Sequence, residues 1–123
     1  MTSTLSNAGA IYLDTDLALS QIGDVEAMNS MLAMLQDTLE KDLPQIDDFL
    51  RAGDVANANR LLHSLKGFVP IFSGPDLCAH VVLVEGMSKD MQSKTAAPAY
   101  LVLKPQLEQL LAEVRAHLFT VTS

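Results

Sequence analysis

Asp54-Val55-Ala56-Asn57-Ala58-Asn59-Arg60-Leu61-Leu62-His63-Ser64-Leu65-Lys66-Gly67-Phe68-Val69-Pro70-Ile71-Phe72 reads as one amphipathic helix. Val55, Ala58, Leu62, Leu65, Val69 and Phe72 recur at steps of three and four, which gathers apolar side chains on one face. Asp54 can cap the start, and Ser73-Gly74-Pro75 places a glycine stop before a proline that opens the next helix. The opposite face holds Asn59, His63, Lys66, Gly67 and Pro70. Because positions i, i+3 and i+4 share a face, the His63 imidazole, the Lys66 ammonium and bare backbone at Gly67 are expected to point together into solvent. Pro70 cannot donate to the carbonyl of Lys66 and its ring presses on that turn, so a tilt is expected there.

The same period runs through the flanking segments. Upstream, Asp14 or Thr15 can cap a short helix ending near Ile22, with Leu13, Leu17 and Leu19 apolar. Gly23-Asp24 stops it and starts a long helix through Met28, Met31, Leu32, Leu35, Leu39, Leu43, Ile46, Phe49 and Leu50, with a kink expected at Pro44. Downstream, a helix from about Pro75 to Met91 carries Leu77, Val81, Val84 and Met87 or Ser88. Gln92 to Ala97 reads as a loop. A last helix from about Pro98 to Phe119 puts Leu103, Leu107, Leu110, Leu111, Val114, Leu118 and Val121 in register, with Pro105 able to kink it. No strand alternation or repeat is present. The expected fold is all-α: an antiparallel up-down four-helix bundle over residues 11–121, with a short additional N-terminal helix as a lid and residues 1–10 as a disordered tail.

Bulk properties narrow the function. The 123 residues make one domain, and 49% apolar content with only 5% aromatic points to an aliphatic core. A net charge of −7 argues against a nucleic-acid partner. The charge is uneven: residues 1–54 hold ten acidic side chains against Lys41 and Arg51, whereas residues 55–123 hold five against six basic. His63 lies in the half that an anion prefers. A lone cysteine, Cys78, excludes an internal disulfide and is expected to be inert. There is no signal peptide, no membrane-spanning run, no metal-ligand spacing and no Gly-rich phosphate loop, so a cytoplasmic protein without its own metal, membrane attachment or kinase activity is expected. Met1 followed by a polar tail favours a free-standing protein. With one apolar stripe per long helix, a monomer is expected.

A solvent-facing histidine beside a lysine and a glycine suits acceptance of a phosphoryl group. Neutral imidazole is the nucleophile, Lys66 can balance phosphoryl charge, and Gly67 leaves room for a partner. His80 and His117 have no such neighbours and read as structural or surface residues. Met28, Met31 and Met34 read as core, with Met28 able to serve as a pliable edge of a docking patch.

His63-Ser64-Leu65-Lys66-Gly67 resembles the H-x-L-K-G signature of histidine-containing phosphotransfer (HPt) domains, the shuttles of bacterial two-component phosphorelays. Leu77 and the pair Val84-Glu85 are similar to the family's downstream pattern. Leu13-Asp14, Gly23-Asp24, Leu43-Pro44 and Ala52-Gly53-Asp54 are similar to its upstream one. Two features depart from the pattern: Ser73 stands where a glycine is common, and Phe68 to Phe72 is bulkier than usual. The resemblance implies a four-helix bundle whose phosphorylated residue is His63, with Lys66 screening the phosphoryl oxygens. Asn59, Gly67 and Pro70 would meet the partner, and Glu85 stands where the family often has a polar side chain near the histidine. A solvated Glu85, paired four residues on with Lys89, is an equal reading. The implied partners are response-regulator receiver domains, which would supply the Mg²⁺, and a hybrid histidine kinase. Two other readings stay open: a helical adaptor that binds signalling proteins without phosphotransfer, and a histidine-kinase dimerisation domain. Against the latter stand Ser64, where an acidic residue is usual, and the missing ATP-binding domain.

Overall fold

The computed structural model describes residues 10–122, so the tail expected over residues 1–10 lies almost wholly outside the described residues. Five α-helices follow in order: α1 (Thr15–Ile22), α2 (Val25–Arg51), α3 (Val55–Phe68), α4 (Pro75–Met87) and α5 (Ala96–Thr122), with a 3-10 turn at Val69–Ile71. The expected caps form. Asp14, Asp24 and Asp54 accept from the amides of Leu17, Ala27 and Asn57. Gly23 and Gly53 take positive φ angles of 86° and 77°, which turn the chain out of α1 and into α3 at little steric cost. Packing runs α2 on α3, α3 on α4, α4 on α5 and α5 back on α2, closing a four-helix bundle, while α1 lies on α2 and the 3-10 turn at one end. The periodic leucines meet in one core with Val55, Ala58, Val69, Phe72, Val81, Val84 and Tyr100.

Several boundaries differ from the expectation. The motif helix ends at Phe68, not at Ser73; the chain tightens into the 3-10 turn around Pro70, which has no N–H for an α-helical bond. The tilt expected at Pro70 is thus a change of helix type. At Pro44 there is no break, as expected: α2 runs on as one helix, and the buried Tyr100 hydroxyl donates to the carbonyl of Leu43 at 2.8 Å. Helix α4 stops at Met87, four residues early, where the Ser88 hydroxyl donates to the Glu85 carbonyl. Helix α5 starts at Ala96 because the Ser93 hydroxyl accepts from the Ala96 amide; Pro98 then falls in the first turn, where amides need no helical partner.

Two apolar readings also change. Val121, placed in the apolar register, is 47% exposed, and Val82, Leu83, Leu101 and Val102 stand outside, so α4 and α5 carry more than one apolar stripe. Met28 is buried and cannot edge a docking patch, whereas Met34 is exposed.

A contact absent from the sequence reading holds the N-terminal segment. Glu113 of α5 accepts from the amides of Ile11, Tyr12 and Leu13 at 2.8–2.9 Å, and from Gln109. The segment in turn reaches the end of the motif region: Asp14 N–H donates to the Phe72 carbonyl, and the buried Ser73 hydroxyl to that of Tyr12. Ser73, the departure from the family's glycine, therefore has a partner. Burial raises the Glu113 pKa, but these donors outweigh it and hold the carboxyl below its ordinary value. Its stabilising contribution is present above the ordinary glutamate pKa of about 4.3 and is lost as pH falls through the lower folded-state value. Glu113→Ala leaves three amides without an acceptor and is expected to cost about 3 kcal/mol at neutral pH. Urea unfolding of both proteins should show the gap narrowing at acid pH; an equal gap at both would separate it from carboxylate ionisation.

Candidate functional site

Helix α3 positions the site because its apolar stripe fixes its rotation. With Leu62 and Leu65 fully buried, His63 faces outward, its side chain 66% exposed. Lys66 follows one turn later, partly covered. Facing them from α4 is Glu85, 1% exposed. Its carboxylate joins the site: Oε2 lies 3.3 Å from His63 Nδ1 and 3.2 Å from Asn59 Nδ2, while Oε1 lies 3.2 Å from Lys66 Nζ and 3.8 Å from Lys89 Nζ. Burial raises the Glu85 pKa, but hydrogen bonds from Lys66, Asn59 and His63 more than offset it, so the carboxyl sits below its ordinary value and is ionised at neutral pH.

The geometry fixes the ring. An ionised carboxylate only accepts, so the neutral imidazole that bonds Glu85 carries its proton on Nδ1. Nε2 then holds the bare lone pair, on the far side of the ring from the carboxylate. The arrangement is an exposed imidazole oriented by a buried anion, with the Lys66 ammonium on the same anion one helical turn away.

Of the residues singled out in the sequence, His63, Lys66, Asn59 and Glu85 come together. Asn59 is turned toward α4, donating to Glu85 and Ser88, rather than outward as the centre of a docking face. Glu85 is settled as buried on the histidine, with Lys89 as its looser i,i+4 neighbour. Gly67 is exposed in the last turn of α3, and a Cβ built there meets nothing within 4 Å; Pro70 sits in the 3-10 turn beyond. Ser88 was missed. The sequence signal lies in its spacing of three from Glu85 and seven from Val81, which puts it on the buried side of α4.

The other histidines have structural partners: His80 Nδ1 with Gln106 at 2.7 Å and His117 Nε2 with Asn29 at 2.9 Å, burial lowering the pKa of His117. Burial pushes the Cys78 thiol up, the setting of an inert cysteine. Among the described residues no group of three or more His, Cys, Asp or Glu is placed to hold a metal ion, and no helix is long and apolar enough to cross a membrane.

A family model described as Hpt domain matches residues 30–117, from the first turns of α2 to the last turns of α5, with His63 and Glu85 inside the match. The chain belongs to the Hpt domain family. Hpt domains are histidine-containing phosphotransfer modules of phosphorelays, working with receiver domains and histidine kinases. The bundle described above is the family's all-α fold with a short helix added at the N-terminus. No curated protein and no solved structure gives a match.

Proposed function

We propose that this Hpt domain carries a phosphoryl group on His63 Nε2, taking it from a receiver-domain aspartate and passing it to another. The observation that supports this most is the Glu85 carboxylate on Nδ1, which leaves Nε2 unprotonated and facing solvent. In the forward step the Nε2 lone pair attacks the phosphorus of an aspartyl phosphate. The N–P bond forms as the P–O bond to the aspartate breaks, and the carboxylate leaves with the electron pair. The ring keeps its proton on Nδ1 and gains positive charge, which Glu85 faces at 3.3 Å. Lys66, 3.2 Å from the other carboxylate oxygen, swings onto the phosphoryl oxygens. Little else is asked of the bundle, because phosphoryl transfer depends mostly on positioning and charge stabilisation. The receiver brings the Mg²⁺ and the aspartate; this chain has no kinase activity of its own, and the donor upstream is a hybrid histidine kinase. It works in the cytoplasm, meeting each receiver through the exposed surface around His63, Gly67 and Pro70.

The test is incubation of the purified chain with a phosphorylated receiver. An acid-labile phosphate should appear on it. A stable complex without label would favour the adaptor reading. Glu85→Ala should lower the transfer rate by tenfold or more, the equivalent of about 1.5 kcal/mol for a hydrogen bond to a charged group. A rate within twofold of wild type would show that the carboxylate does not act on the ring.

A further inference from the structure

Asn59 lies one turn before His63 on α3, yet its side chain does not face the partner side. Its Nδ2 group reaches across to α4, its two protons shared among Glu85 Oε2 at 3.2 Å, the Glu85 backbone carbonyl at 3.1 Å and Ser88 Oγ at 3.0 Å. Ser88, 1% exposed, uses its own proton on the same Glu85 carbonyl at 2.8 Å. With its hydrogen committed there, the Ser88 oxygen can only accept from Asn59, so it fixes which end of the amide faces Glu85. A flipped amide would set Oδ1 against the carbonyl, the carboxylate and the serine oxygen together.

We infer that Asn59 and Ser88 form a brace between α3 and α4 that keeps Glu85 Oε2 on His63 Nδ1 while Lys66 moves between carboxylate and phosphoryl group. They are positioning residues, acting through Glu85, and the inference rests on the phosphotransfer role of His63 proposed above. The division of labour within the carboxylate supports it. Oε1 takes both lysines, and Oε2 takes His63 and Asn59. Arrival of a phosphoryl group draws the lysine from Oε1, and a glutamate side chain has enough rotatable bonds to follow it. An uncharged amide anchored at two further points on α4 has far less reason to move, so Oε2 stays in place through the exchange. The brace also supplies one of the donors that hold Glu85 ionised.

The test reads the ring directly, by ¹⁵N NMR of His63 in the unphosphorylated full chain, alongside transfer kinetics. Wild type should show the Nδ1–H form predominating among neutral rings. Asn59→Ala should shift the ratio toward Nε2–H by roughly fivefold, about what one ordinary hydrogen bond supports. Its maximal transfer rate should fall while the receiver KM stays unchanged. Asn59→Asp keeps the shape but sets a second carboxylate against Glu85, so the Glu85 carboxyl should titrate at higher pH. Ser88→Ala, which removes only the orienting oxygen, should shift the ring in the same direction by less, and circular dichroism melting checks that each variant folds. A His63 ring unchanged in both Asn59→Ala and Ser88→Ala, or a wild-type ring protonated on Nε2, would overturn the brace. A wild-type chain with the Nδ1–H ring that takes no phosphate would overturn the phosphotransfer role and leave the positioning intact.

Discussion

His63→Gln is expected to abolish phosphoryl acceptance entirely while leaving the bundle folded. Loss of function follows from chemistry: the amide has no basic lone pair comparable to Nε2, and neither remaining histidine can take over. His80 and His117 spend a ring nitrogen on Gln106 and Asn29, and neither stands beside a lysine and a buried carboxylate as His63 does. Retained stability follows from exposure. The side chain is 66% exposed and leaves the core untouched, so the melting curve should move by no more than the equivalent of about 0.5 kcal/mol. The glutamine amide can still donate toward Glu85, whose carboxylate also keeps Lys66 and Asn59. Labelling by a phosphorylated receiver, with thermal melting of the same sample, checks both halves. Undiminished label would move the acceptor elsewhere; lost label with a collapsed bundle would mean that His63 serves the fold.

The stretch from Asp54 to Phe72 was legible because one physical rule governs it. A helix with a single apolar stripe has one rotation that buries it, and that rotation places His63 outside. The aspartate caps and the glycine stop at Gly23 were legible for a similar reason: each is a local event within a few residues. The misreadings arose where a local signal met a competing demand. Periodicity carried the motif helix to Phe72, yet Pro70 lacks the donor that the α-helix needs, and the chain kept Val69 and Phe72 buried by tightening into a 3-10 turn. The α4 stripe of Leu77, Val81 and Val84 was legible, but Glu85 lies at its edge, where a charged side chain ordinarily stays in solvent. That is why Glu85 could be read as solvated, although it is buried beside Val84. Glu113 was beyond reach for another reason. Its partners are backbone amides some hundred residues away, and amides have no signature in the sequence.

Gly67→Leu is expected to make the protein more stable and nearly inactive. Within the chain, nothing requires a glycine there. Its φ is not positive, and a Cβ would meet no atom within 4 Å. Glycine inside a helix costs about 1 kcal/mol relative to alanine, so this is the less stable choice for α3 taken alone. Alanine should recover about that amount, and leucine much of it. The cost is explained if the space over Gly67 must stay open for an incoming receiver, since the residue shares a face with His63 one turn away. A leucine side chain standing there would hold the aspartyl phosphate away from Nε2. Displacement of a reacting atom by about 1 Å can cost on the order of a hundredfold in rate, and a leucine intrudes further than that. Transfer should therefore fall by at least that factor in Gly67→Leu and by much less in Gly67→Ala, although both variants melt above wild type. The Nδ1–H state of His63 should be unchanged in both, because Glu85 reaches the ring from α4 and Asn59 holds Glu85 from the preceding turn of α3. Full transfer activity in the leucine variant would mean that the receiver docks clear of Gly67, with the open backbone irrelevant to its approach.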